Sequence, residues 1–374
     1  MRAALSLLFA LALPTAALAG SPALIVGAVD DGVARPGPFE VRRGQTVTLF
    51  PAVRVGRVWY SDAPALRTPR RVPAKHLRPL AALGPDVRVR WLKVEPYPEH
   101  LETPPPNPGN PAYSNSVLFG PRHGTWLGYD TLEYSEIPVV PAPGPTLTVQ
   151  RARPTHPWLQ VNDGLGTIRY KVVVEVGDGR VFESPGVETA GRAGIAPSVT
   201  RISVRAADDL VGHLTSFYNV PNVFGSAGKG RRHQTELHQG ADCADVIVGA
   251  ARKAGKRVPY TSVAGLLRYT RTLSDRLQLS AEGLFTRPAE GEPEPVALRW
   301  GDDLKPGDLM LIKYSVDYTG RTWDHIAVVA RDDGAVPGLF DGGDAVMHMG
   351  YRVGLVDEPA LRAGQMTVQF VRLR

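Results

Sequence analysis

The sequence predicts an α+β protein in two parts: an all-β sandwich, then a half in which helices precede a small antiparallel sheet. Three observations carry this expectation. From Gly20 to about Val204, short β-patterned runs alternate with Pro- and Gly-rich turns and almost no helical periodicity. After Arg205 apolar residues recur at helical spacing, and from Asp302 onward the pattern returns to strands. A chain of 374 residues is long enough to form two such cores.

Met1 to Ala19 read as a secretory leader, with Arg2 as the charge, Ala3 to Leu13 as the apolar region, Pro14 as a break and Ala17-Leu18-Ala19 as the cleavage site. The expected organisation is therefore leader 1–19, sandwich 20–204 and second domain 205–374. No cysteine follows the cut to accept a lipid, and no later apolar run is long enough to span a bilayer, so the expectation is an exported protein, periplasmic or extracellular. The net charge of +6, or +5 without Arg2, suits an anionic polymer such as a cell wall but is also an ordinary route to solubility; no nucleic-acid partner is expected.

In the first half, Gln45 to Phe50 follows the Arg43-Gly44 turn as a strand, and Asp86 to Val94 alternates Val87, Val89 and Trp91 with Arg88 and Arg90. Gly166 to Val176 is the longest strand signal, and Asp178-Gly179 turns it into Val181-Phe182-Glu183. Glu102 to Pro111 and Pro138 to Pro145 are too Pro-dense for strands and read as surface spacers. Tyr97, Tyr113, Trp126, Tyr129 and Trp158 would suit a sugar-stacking surface, although aromatic residues in a sandwich are more often core. The stretch from Asp163 to Tyr170 resembles the penultimate strand of immunoglobulin-like domains, with Ile168 where that signature has tyrosine and Tyr170 where it has cysteine.

In the second half, Asp208-Asp209 to Tyr218 begins a helical pattern, and Pro221 to Gly225 ends it in a turn. A basic loop, Lys229 to His233, leads to the stretch around which the chain is organised. Asp242 is a good N-cap, Cys243 takes the first helical position, Arg252 and Lys253 fall in the last turn, and Gly255 ends the helix. Cys243 is the only cysteine of the protein. An unpaired cysteine in an exported protein is intermolecular, buried and inert, or a reactive thiol. Its place at a helix N-terminus favours the thiolate and so favours the nucleophile.

Tyr260 to Leu273 reads as a further helix and Glu290 to Pro295 as a linker. Leu309 to Tyr314, Asp324 to Ala330, Val346 to Gly350 and Met366 to Leu373 read as the strands of the sheet. His213, His233 and His238 match no strong zinc spacing, so no metal site is expected.

The order of these landmarks resembles the NlpC-type family of bacterial cell-wall cysteine peptidases. Asp242-Cys243-Ala244-Asp245 is similar to its Asp-Cys-Ser-Gly motif, and Leu304-Lys305-Pro306-Gly307-Asp308-Leu309 to its Leu-x-Pro-Gly-Asp-Leu motif. His325 to Val329, with Asp333-Gly334, resembles its histidine strand, His348 its third residue, and Ala254 to Ser262 its stretch after the helix. The likeness covers about 208–374. It implies a papain-like domain that hydrolyses amide bonds in peptidoglycan stem peptides without a cofactor.

In that role Cys243 attacks, His325 moves the proton and His348 orients the imidazole. The chain departs from the family in three places. Asn222 stands where the family has an oxyanion-site tyrosine, which leaves either its amide or Tyr218 to serve there. Ala244-Asp245 replaces Ser-Gly and brings a carboxylate toward the thiol, which would raise its pKa. The long cysteine-to-histidine interval implies an insertion between Leu273 and Arg299. Arg231 and Arg232 would suit a stem-peptide carboxylate or form a solvated loop, and Trp323 would wall the groove or pack. The alternatives are an inert wall-binding or adhesion module and an amidase or acyltransferase acting on a non-wall substrate. Oligomeric state is not legible.

Overall fold

Strands dominate a mixed α+β architecture of several sheets and few helices. The computed structural model describes residues 23–68, 70–96, 117–118, 132–156, 159, 162–191, 194–224, 228–287, 291–314, 322–350, 354–361 and 364–374. The leader, the Glu102 to Pro111 loop and the aromatics Tyr97, Tyr113, Trp126, Tyr129 and Trp158 lie outside the described residues.

Two sheets form the first half. In one, Val47–Val55 pairs antiparallel with Ala23–Val29, Leu147–Val149 and Val58–Tyr60. The other runs in the order Ser135–Pro138, Arg88–Glu95, Gly166–Glu175, Thr200–Arg205 and Phe39–Arg42, with Val181–Glu183 folded back onto the long strand as the Asp178-Gly179 turn predicts. Ile25, Val47 and Leu49 of the first sheet share one apolar cluster with Phe39, Trp91, Ile168, Tyr170 and Val172 of the second. Inward-pointing residues at alternate strand positions produce this, since the side-chain period of a strand is two.

Gly166–Glu175 is buried on both faces. Its second face meets the other half of the chain, and there the polar residues Thr167 and Arg169 are buried rather than solvated. Thr167 Oγ1 lies 2.7 Å from Ser203 Oγ and 3.1 Å from His238 Nδ1, and donates to the Ser216 carbonyl at 2.8 Å. Arg169 donates to the His238 carbonyl. Buried polar groups must be paired, and here the pairing joins the two halves.

The second half opens with α1, Leu210–Leu214, capped by Asp209, whose carboxylate accepts from Gly212 N at 2.7 Å. The helix α2, Cys243–Lys253, has the ends that the sequence predicts. Asp242 Oδ1 accepts from the N–H groups of Ala244 and Asp245 at 3.0 and 2.8 Å. At the other end Gly255, at φ 86°, donates to Arg252 O while Lys256 donates to Ala251 O, the paired bonds of a left-handed C-cap.

Between its ends α2 is buried nearly all round, which makes it an interior helix rather than a surface one. The expected helix from Tyr260 to Leu273 is corrected to a single turn, α3, Val263–Leu266, and a 3-10 turn, after which Thr270–Thr272 becomes a strand. β-Branched threonines at alternate positions pair there with Val371 to Leu373, so sheet pairing overrides the helical pattern.

The large sheet is antiparallel, in the order Gly283–Phe285, Leu277–Ser280, Met366–Leu373, Leu309–Lys313, His325–Arg331, Ala345–Gly350 and Gly354–Pro359, with Thr270–Thr272 also on Met366–Leu373. It is larger than predicted. The inserted segment supplies Leu277–Ser280 and Gly283–Phe285, and the expected linker turns back so that Glu294 O accepts from Thr286 N at 2.8 Å. Gly354–Pro359 was not expected as a strand. One face of the sheet carries Ile326, Val328 and Met347 and shares its core with Val246, Ile247 and Ala250 of α2. The other carries Leu277, Ile312, Ala327, Val329 and Val346 and packs with Phe340.

Candidate active site

The N-terminus of α2 and the start of the His325–Arg331 strand meet at Cys243. The backbone N–H groups of Ala244 and Ile326 lie beside the sulfur and favour its anion. The helix supplies the first because its N-terminal donors lack intrahelical partners. The strand supplies the second, one peptide bond from His325. Cys243 is part-buried, packed against the apolar cluster between α2 and the sheet.

His325 pairs with Ile312 across the strands, so its imidazole shares the face of Ile312, Ala327 and Val329, opposite the face on which α2 lies. His348 and Glu358 belong to the same face: His348 pairs with Val356, and Glu358 pairs with Val346. The result is a line of three side chains. His325 Nε2 stands 2.9 Å from His348 Nδ1, with the rings edge-to-face. His348 is buried, and its Nε2 is hydrogen-bonded to Glu358 Oε1.

The structure thus brings Cys243, His325 and His348 to one end of the sheet, and adds Glu358, which sequence reasoning missed. The available signal was weak: Gly354-Leu355-Val356-Asp357-Glu358 is short, begins with glycine and stops at Pro359.

The thiol differs from expectation in one respect. A helix N-terminus alone would favour the thiolate, but burial pushes Cys243 up to about 12, and the Asp242 and Asp245 carboxylates add to the rise. The N–H groups of Ala244 and Ile326 oppose the shift without cancelling it. The resting sulfur is a protonated thiol, and its proton needs a base. Asp245 is buried, with Oδ2 3.7 Å from His233 Nε2.

Asn222 flanks the cysteine loop. The expected turn from Pro221 to Gly225 instead contains a short strand, Val223–Phe224, and Asn222 bridges in parallel to Ala241. Val223 N donates to Ala241 O at 3.0 Å, and Ala241 N to Pro221 O at 3.2 Å. Asn222 is buried and its Oδ1 has no hydrogen-bond partner among the described residues. Tyr218 is also buried, but its hydroxyl lies 3.5 Å from Asp357 Oδ2, on the α2 side of the Gly354–Pro359 strand. Trp323 packs against the cluster around Cys243, with the Arg276 guanidinium 5.3 Å above its ring. Arg231 and Arg232 are exposed on a single turn, Gly230–Arg232.

His213, His233 and His238 sit in packed positions. His233 stacks on Tyr260 with ring centroids 3.5 Å apart, His238 stacks on Phe217 at 4.2 Å, and His213 is buried in the last turn of α1. Among the described residues no three His, Cys, Asp or Glu side chains converge as a metal site, and no helix is long and apolar enough to cross a membrane. Compared with known proteins, the chain matches no family model, no curated protein and no solved structure.

Proposed function

We propose that the protein is a cysteine hydrolase with a papain-like second domain behind an immunoglobulin-like sandwich, and that it cleaves amide bonds in peptidoglycan stem peptides after export. The observation that carries this reading is the pairing of His325 Nε2 with His348 Nδ1 at the strand start whose next peptide N–H, that of Ile326, lies beside the Cys243 thiol. Nδ1 of an imidazole is the ring nitrogen nearer its own backbone. With Nε2 of His325 turned to His348, Nδ1 is the ring nitrogen left to act on a thiol that lies beside the 325–326 peptide.

The reaction follows from that arrangement. His325 Nδ1 takes the thiol proton as sulfur adds to the amide carbonyl, and the tetrahedral oxyanion receives a hydrogen bond from the Cys243 N–H. The Asn222 amide would be a second donor. Collapse breaks the C–N bond, and the proton on Nδ1 goes to the leaving amine. Water then adds to the thioester, giving its proton to Nδ1, and the acid departs as sulfur recovers that proton. The raised thiol suits a base-dependent attack rather than a preformed thiolate, because the proton leaves only when a base is poised.

Purified mature protein and its Cys243→Ala variant incubated with peptidoglycan sacculi, followed by mass spectrometry of muropeptides, test the proposal. New stem-peptide fragments with the intact cysteine alone are expected. Unchanged muropeptides with both folded proteins would remove cell-wall hydrolysis.

The same raised thiol favours a second reading, an inert wall-binding or adhesion module with a hydrolase-like fold. Cosedimentation with sacculi that is unaffected by Cys243→Ala, without cleavage, would select it.

A further inference from the structure

We infer that Glu358 is a positioning residue that fixes the tautomers of both histidines and thereby makes His325 Nδ1 a base. This rests on the reading of Cys243 and His325 as a reacting pair, but not on the identity of the substrate. A carboxylate is acceptor-only, so a hydrogen bond between His348 Nε2 and Glu358 Oε1 places a proton on that nitrogen. A neutral imidazole carries one N–H, which leaves His348 Nδ1 as a lone pair. His325 Nε2, 2.9 Å away, must then be the donor, and His325 Nδ1 is left as the acceptor.

With both rings neutral, each step has a single outcome once the last acceptor is fixed. Without Glu358 the His348 proton is free to move to Nδ1. His325 Nε2 would then have to accept, its own proton would sit on Nδ1, and Nδ1 would be a donor unable to take the thiol proton.

The surroundings support the assignment. His348 is buried, so solvent does not exchange its partners, and Val346 and Val356 flank it and Glu358 across the strand pair. Glu358 keeps its oxygens at the rim, with a side chain 26% exposed. The strand carrying it is anchored independently: Tyr218 bridges to Gly354, and Asp357 forms an ion pair with Arg331 at 2.5 Å. Partners that orient metal-bound histidines are worth about 10- to 100-fold in activity, and an effect of that size is expected for this carboxylate.

The test is long-range proton–nitrogen NMR on the mature protein labelled with 15N-histidine. The two rings are assigned by loss of their signals in His325→Gln and His348→Gln. Both rings of the wild type are expected to be protonated on Nε2 and bare on Nδ1, and Glu358→Ala is expected to move His348 to mixed tautomers. A wild-type His348 protonated on Nδ1 overturns the inference, and so do unchanged tautomers in a folded Glu358→Ala protein. Should Glu358→Ala not fold, the wild-type spectrum decides alone. As a second readout, any Cys243-dependent hydrolysis or acylation should fall about 10- to 100-fold in Glu358→Ala. Expected tautomers without muropeptide cleavage would refute the proposed substrate and leave the role of Glu358 standing. Cleavage by Cys243 with the opposite tautomers would do the reverse.

Discussion

At Cys243 two opposing influences act on one proton, and Asp242 lies on both sides of the balance. Its carboxylate caps α2 through the N–H groups of Ala244 and Asp245, and its charge raises the neighbouring thiol. Asparagine caps a helix about as well as aspartate, so Asp242→Asn separates the two effects. The variant should keep its thermal midpoint, with stability changed by less than about 0.5 kcal/mol, while iodoacetamide alkylation of Cys243 at pH 8 becomes several-fold faster. Asp242→Ala removes the cap as well and should cost about 1 kcal/mol. Alkylation that is equally fast in wild type and Asp242→Asn would show that Asp242 does not hold the proton on sulfur.

At the scale of elements, the Gly354–Pro359 strand is the part of the site least legible in the sequence, and it is held by a close approach. Gly354 sits at φ 87°, and a Cβ there would stand 1.9 Å from the carbonyl oxygen of Val220. Gly354→Ala therefore meets both strain and backbone, with no flexible side chain to yield. It should destabilise the protein by about 1–3 kcal/mol in denaturant unfolding and displace Glu358 from His348. A melting curve that matches wild type would contradict this packing.

The elements that sequence did reveal have local causes. α2 has both caps written in it, and the strands of His325 and His348 are runs of apolar residues buried on both faces. What it hid depends on partners far along the chain: Thr270–Thr272 becomes a strand only because Val371 to Leu373 is there to pair, and Glu358 gains a role only across the sheet from His348. Thr167 and Arg169 look like solvated strand residues until the second half covers them.

For the whole molecule, the buried histidines of the second half and Glu40 at the contact between halves set an acid response that can be worked out by sign. His238 is held well below its ordinary 6.5 by burial and by the Arg201, Lys253 and Arg169 cations. His233 is lowered to about 4, chiefly by burial, with Arg252 adding to the shift and Glu236 opposing it. A base that is harder to protonate when folded stabilises the fold above its unfolded value and loses that contribution as pH falls. The window opens near 6.5 and, for His233, closes near 4, where about 3 kcal/mol has been withdrawn.

Glu40 follows at lower pH. Burial works against its charge, but Arg201 and Lys253 of α2 outweigh it and hold the carboxyl at about 2. Its contribution is present above 4.5 and lost as pH falls from 4.5 toward about 2. The full shift would be about 3 kcal/mol. A side chain 38% exposed is screened, which brings the contribution to about 1–2 kcal/mol.

Denaturant midpoints measured at pH 7.5, 5.5 and 3.5 should therefore fall at each step. Glu40→Gln should lower the midpoint at pH 7.5 by removing the anion that joins Arg201 to Lys253, and should flatten the loss below 4.5 while leaving the loss between 6.5 and 4.5 intact. His233→Phe keeps a ring on Tyr260 and should flatten the upper window instead. If the wild-type midpoint is level from pH 7.5 to 4.5, the buried histidines do not carry the coupling, and the acid response must start at Glu40 and the other carboxylates.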